Sequence, residues 1–321
     1  MLTGLVIALA VSWSPRPVWA GDTSDPRAVD IVQRMTKAAR ELNYDANFVY
    51  SHGSQMDEMR IIHRAGPDGE RERLISLSGT PREVLRDNAH VTCILPDASA
   101  VVVGKSRPQT VYGSPILGAA AGYEKYYRFV IGPTSRVAER DVYFVRIVPR
   151  DGYRLGYQLW TDKASGLLLR SHLIGENGTV LERILYTRLS LPKEIEDKLL
   201  EPELEGSEFT WHTPGEGGLR PRGGAWEALW LPPGFEMRDR LHEPIATGRM
   251  PVFHMVYGDG LASISVYVEE LTGDGDRLEG SAIMGAVTAF GRVVDNHQVT
   301  VMGEVPMRTV TKVAESVRRA Q

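Results

Sequence analysis

Apolar residues recur at helical spacing in two stretches, and between them they alternate with polar residues or come in short runs. After Asp25-Pro26, the positions Ala28, Val29, Ile31, Val32, Met35, Ala38, Ala39 and Leu42 share one helical face. Asp25 is placed to cap that helix and Pro26 to begin its first turn. Near the C-terminus Val310, Val313, Ala314 and Val317 repeat the spacing and predict a terminal helix. From Tyr44 the period falls to two, in NFVYSH, MRIIHRA, RERLISL, HVTCILP, SAVVVG, VYFVRIVPR, RLGYQLWTD, LLLRSHLIG and VLERILYTRL. Gly, Pro, Asp and Asn punctuate the gaps, most sharply at Asn177-Gly178, so these runs predict antiparallel strands joined by hairpins. YEKYYRFV, residues 123–130, reads as a short helix or turn within the series.

Periodicity is lost between Pro202 and Gly224, where Gly and Pro mix with acidic residues, and this marks a linker. Beyond it AWEALWLPPGF, PVFHMVYGDG, LASISVYVEEL, SAIMGAVTAFGR and HQVTVMGEVP alternate in strand fashion up to the terminal helix. The fold class is α+β: an unclosed N-terminal antiparallel β-barrel carrying helices, then a smaller antiparallel sheet with a terminal helix. Domain boundaries are set at 21–204 and 223–321, with residues 205–222 between them. Residues 1–20 are apolar, end in Val18-Trp19-Ala20 and are broken by Pro15 and Pro17, which predicts a cleaved export signal, although no basic residue precedes the apolar run.

Charge narrows the function. With 37 basic and 41 acidic residues and a net charge of −4, the chain has no concentrated basic face for nucleic acid. The single Cys93 cannot form an internal disulfide and reads as a small buried hydrophobe. Eight histidines are scattered singly, without the spacing that pairs metal ligands. No GxSxG turn occurs, and GDGDRLEG lacks the spacing of a calcium loop. No catalytic residue, cofactor or metal site is therefore assigned, and an exported hydrolase is the weakest reading.

A strand-rich exported chain without catalytic signature points to a binding module. Its concave face has candidate apolar ligand-binding residues in Val49, Ile61, Leu74, Val102, Val145 and Leu159, with Leu77, Ile94, Tyr143 and Leu168 beside them. The same residues equally form a closed core against the first helix. Tyr112, Tyr123, Tyr126 and Tyr127 are placed to close one end of the barrel.

Five segments carry a resemblance: NFVYSHGSQMDEMRIIHR at Asn47–Arg64, GYEKYYRFVIGPTSRVAERDVYFVRIVPRDGYRLGYQLWTD at Gly122–Asp162, WLPPGF at Trp230–Phe235, YGDGLASISVYVE at Tyr257–Glu269 and VTVMGEVPMRTVTKVAESV at Val299–Val317. In order and spacing they resemble the RseB/MucB family, periplasmic negative regulators of the sigma-E envelope-stress response. The resemblance implies a large domain similar to lipoprotein carriers and a small domain that contacts the periplasmic segment of an RseA/MucA-like anti-sigma factor. It further implies that the regulator shields this partner from site-one proteolysis and leaves when lipopolysaccharide or lipoprotein acyl chains bind. A lipoprotein carrier or chaperone is the alternative, and a homo-oligomer is compatible with either.

Under this reading Trp230, Phe235, Arg238, Arg240, His242, Arg249, Tyr257 and Leu261 are the partner-binding candidates, since aromatic and Arg side chains concentrate binding energy. Pro232 and Tyr267 stand beside them, and the loop 242–251 is the most exposed candidate. Arg60 and Arg64, with Arg71 and Arg73, are candidates for a phosphate-bearing ligand. The aromatic candidates equally suit the small domain's core, and isolated arginines equally suit a solvated strand face.

Overall fold

The computed structural model describes residues 23–88, 90–98, 100–105, 122–204, 210–212, 226–244, 251–271 and 277–320. The export signal and Tyr112 lie outside them. The first helix, α1 (Pro26–Glu41), begins as its sequence requires: an Asp25 carboxylate oxygen accepts from the Arg27 amide at 2.9 Å, and Pro26 occupies the first turn. Ala28, Val29, Ile31, Val32, Met35 and Ala38 form its buried stripe.

The strands that follow are β1 (Tyr44–His52), β2 (Gln55–Gly66), β3 (Gly69–Ser76), β4 (Glu83–Arg86), β5 (His90–Leu95), β6 (Ala100–Lys105), β7 (Tyr127–Ile131), β8 (Ser135–Val137), β9 (Arg140–Pro149), β10 (Gly156–Asp162), β11 (Leu168–Ile174), β12 (Val180–Ser190) and β13 (Thr210–His212). They form a 13-stranded sheet in the order β13-β6-β5-β4-β3-β2-β1-β12-β11-β10-β9-β7, with β8 paired to β9. The terminal strands of this path do not pair with each other, so the barrel is unclosed. Pairing is antiparallel except between β13 and β6. Helix α1 fills the concavity: its first turns pack with Phe129, Val145, Ile147 and Leu159, and Ala38 packs with Phe48, Ile61 and Leu74.

The second unit contains β14 (Trp226–Ala228), β15 (Glu236–Pro244), β16 (Pro251–Gly258), β17 (Ser263–Glu270), β18 (Gly280–Met284), β19 (Val287–Val294), β20 (His297–Gly303), α2 (Met307–Ser316) and β21 (Val317–Arg319). Its 6-stranded antiparallel sheet has the order β15-β16-β17-β20-β19-β18, and β14 pairs with β21. Val310, Val313 and Ala314 of α2 are buried with Met255, Ile264, Val266, Val299 and Val301.

Several local expectations change. Only Tyr123–Lys125 forms a 3-10 turn, and the next residues become β7 because their alternate side chains enter the core. SAIMGAVTAFGR is two strands, folded back at Gly285, whose φ of +60° suits glycine. Trp226 to Phe235 extends only as far as Ala228, and a turn closed by the Phe235 amide on the Pro232 carbonyl follows. Within 205–222, Thr210–His212 joins the large sheet. Val317 is buried as the first residue of β21 rather than as a helical residue. Cys93 is half-buried on β5, and burial raises its thiol pKa.

Candidate functional site

The two sheets meet along a seam built around Arg154. This residue sits in the β9–β10 turn, where an Asp151 carboxylate oxygen accepts from the Tyr153 amide at 2.9 Å and shapes the chain. The Arg154 Nε donates to Asp259 Oδ2 at 2.6 Å, and both side chains are fully buried. Its two remaining nitrogens donate to Asp151 Oδ2 and to the Pro233 carbonyl. Asp259, in the β16–β17 turn, also accepts from the Tyr127 hydroxyl at 3.0 Å and from the Leu261 and Ala262 amides at 2.9 and 2.8 Å. Each charge thus keeps several partners after leaving water, which a buried ion pair needs if it is not to destabilise the fold.

Aromatic rings enclose the pair. The Arg154 guanidinium lies 4.7 Å from the Tyr126 ring centre and 5.0 Å from that of Phe235. Burial and the Asp259 carboxylate hold the Tyr127 phenol well above its ordinary pKa, so it stays a neutral donor. The turns come this close because they carry glycine: a Cβ on Gly234 would stand 2.2 Å from the Tyr126 ring, and one on Gly260 2.3 Å from the Tyr123 hydroxyl. Both glycines also have positive φ, at +86° and +100°.

Further contacts extend the seam. The Thr309 hydroxyl donates to the Tyr153 carbonyl at 3.0 Å, Arg308 pairs with Glu176, and Lys312 lies 4.0 Å above the Trp230 ring. The apolar layer is continuous as well, since Leu261 and Ala286 of the small unit belong to the same buried cluster as α1, Tyr127 and Leu159. Beside the seam a cleft of about 470 Å³ opens among Arg146, Asp151, Arg154, Gln158 and Glu176.

The expected site residues fall in different settings. Trp230 is half-buried, edge-on to Tyr153 at 5.0 Å. Phe235 is buried against Arg154, Tyr257 lies in the small unit's core, and Leu261 reaches the large sheet's core. Arg238 is exposed and donates to the Gly258 carbonyl at 3.0 Å. Arg240 and His242 lie on β15 and Val102 on β6, with side chains outside the described residues, as is the whole of Arg249.

Among the apolar ligand candidates, Val49 is half-buried while Ile61, Leu74, Val145 and Leu159 are packed against α1. Arg60 forms a two-pronged pair with Asp45 at 2.9 and 2.8 Å, whose hydrogen bonds lower the Asp45 pKa. Arg64 and Arg71 share Asp197, and Arg73 is buried on Glu83. These arginines are already matched with carboxylates.

Sequence reasoning passed over Arg154 and Asp259, and it singled out Tyr127 only as a residue closing one end of the barrel. The first two occupy turns that read as ordinary hairpins. The usable signal was the crowding of Tyr123, Tyr126 and Tyr127 near one strand end. Among the described residues no group of three or more His, Cys, Asp or Glu could hold a metal ion, and no helix is long and apolar enough to cross a membrane.

Two family models match, the MucB/RseB N-terminal domain over residues 27–204 and the MucB/RseB C-terminal domain over 221–318. The chain is 31% identical to the sigma factor AlgU regulatory protein MucB of Pseudomonas aeruginosa, over 98% of this chain and 97% of the relative. It is 26% identical to the sigma-E factor regulatory protein RseB of Escherichia coli K12, covering 93% of each. The solved P. aeruginosa MucA/MucB complex contains a chain that superposes with a TM-score of 0.73 at 29% identity, covering 92% of this chain and 99% of that one. A second structure, MucB in complex with MucA(peri), gives 0.72 at 28% identity, covering 92% and 99%.

Proposed function

Because the chain belongs to the MucB/RseB family, we propose that it is a periplasmic negative regulator that binds the periplasmic segment of a membrane anti-sigma factor. The observation that carries this reading is the match through both units to a relative solved as a MucA/MucB complex. The protein acts by occupancy rather than turnover: bound to the anti-sigma factor, it shields that segment from the site-one protease and so keeps the sigma factor sequestered.

The partner-binding residues in this proposal are Trp230, Arg238, Arg240, His242 and Arg249. Phe235, Tyr257 and Leu261 support them from within the fold, being buried. Release follows when the large unit takes up lipopolysaccharide or a lipoprotein acyl chain, with Val49, Ile61, Leu74, Val102, Val145 and Leu159 as the ligand-binding residues once α1 gives way. Arg60 and Arg64 would exchange their carboxylates for ligand phosphates.

Helix α1 supplies a physical route for the coupling. It fills the concavity and shares a core with Leu261 and Ala286 of the small unit. A chain that displaces α1 therefore disturbs the seam. A coupling of about 1–3 kcal/mol is enough to change partner affinity roughly 5–150-fold.

Site-one digestion of the purified anti-sigma segment, with and without this protein, tests the proposal. Protection that is lost on adding lipopolysaccharide is the expected result. Cleavage at the same rate with and without the protein rejects it.

A further inference from the structure

Away from Arg154, the seam holds two carboxylates that come from opposite units. Glu182 lies on β12 directly across from His52 on β1. The small unit reaches this same place: a Cβ on Gly285 would stand 3.3 Å from His52 Nδ1, and Ala286 enters the core against which Leu181 packs. Glu304 follows Gly303, the β20 residue paired with Thr288 near that turn. The Thr288 hydroxyl donates to the Val305 carbonyl at 2.7 Å and fixes the chain on the far side of Glu304.

Tyr157 of β10 borders the same stretch. Its hydroxyl donates to the Leu261 carbonyl across the seam at 3.4 Å, and the buried phenol lies in the fields of Glu304, Asp259 and Glu182. Burial and the facing Glu182 push the Glu304 pKa up to about 7, and burial also raises Glu182. Glu182 has two compensating neighbours, a hydrogen bond from Tyr50 and the field of His52. Both of these neighbours belong to the large unit and serve Glu182, while burial and Glu182 itself favour the neutral form of Glu304.

We propose that Glu182 and Glu304 form a proton-dependent clasp between the two units: a proton on the pair lets the seam close, and ionisation of both carboxylates loosens it by mutual repulsion. The sign follows from Glu304. Closure binds a proton, so the closed arrangement is favoured under mildly acidic conditions and loses ground as pH rises through about 7. With about a tenfold change for each unit by which the closed and open pKa values differ, the closed-to-open ratio falls on the order of 50-fold between about pH 5 and pH 8.

Carbon-13 carboxyl titration of the whole chain, with hydrogen exchange at the Leu261 and Ala286 amides, tests the clasp. Glu304 should titrate near 7 and move towards the ordinary glutamate range in Glu182→Gln. Corrected for intrinsic rates, exchange at both amides should rise by tens of fold with pH in the wild type, and Glu304→Gln should abolish that rise. An ordinary glutamate titration, a midpoint unmoved by Glu182→Gln, or the same pH-dependent exchange in Glu304→Gln would overturn the proposal.

Discussion

The core around α1 and the seam around Arg154 are both buried, yet they are built on opposite principles. In the core, Met35, Val145 and Leu159 are completely inaccessible within one hydrophobic cluster, so many sequences of similar volume could fill the space. At the seam, a fully buried cation and anion hold each other with help from Asp151, Tyr127, two backbone amides and a carbonyl. Apolar packing defines a domain, whereas a directional polar network defines how two domains sit together. Its cost when half broken is correspondingly larger.

Arg154→Met is expected to have the largest effect, because it leaves Asp259 buried without its cation. Urea denaturation should show a loss of about 3–5 kcal/mol, and adding Asp259→Leu should recover part of it. If the single and double variants lose equally, the pair is not a coupled unit. Leu159→Ala opens a cavity in the α1 core and should cost about 2–5 kcal/mol, with no rescue from changes at Asp259.

This contrast explains what was legible in the sequence. The α1 cap and stripe, the strand series and the terminal helix could be read because burial imposes a period on consecutive residues. β4 was missed because a four-residue strand is too short to show one. Arg154 and Asp259 were missed for a different reason: they lie 105 residues apart in turns, and only the folded chain brings them together. For the apolar ligand candidates the sequence left two readings, a ligand-lined face or a closed core against the first helix, because a pattern of inward positions does not say what fills the inside; the structure packs Ile61, Leu74, Val145 and Leu159 against α1 and leaves Leu77 exposed.

Arg60 and Asp45 sharpen the comparison from its weak end. This partly exposed pair should contribute less than about 1 kcal/mol after solvent screening. Because Asp45 has a lowered pKa in the folded protein, its contribution is present above the unfolded carboxylate pKa and is lost as pH falls through the folded value. Comparing Asp45→Asn with wild type by urea denaturation at pH 7 and below pH 4 should show the difference shrinking in acid. A difference that grows in acid would contradict the assignment.

The regulator reading is tested most directly by calorimetric titration of the periplasmic anti-sigma segment into the whole chain, with and without lipopolysaccharide. Saturable binding that weakens when lipopolysaccharide is present is the predicted result. Absence of binding, or binding that lipopolysaccharide leaves unchanged, would contradict the account.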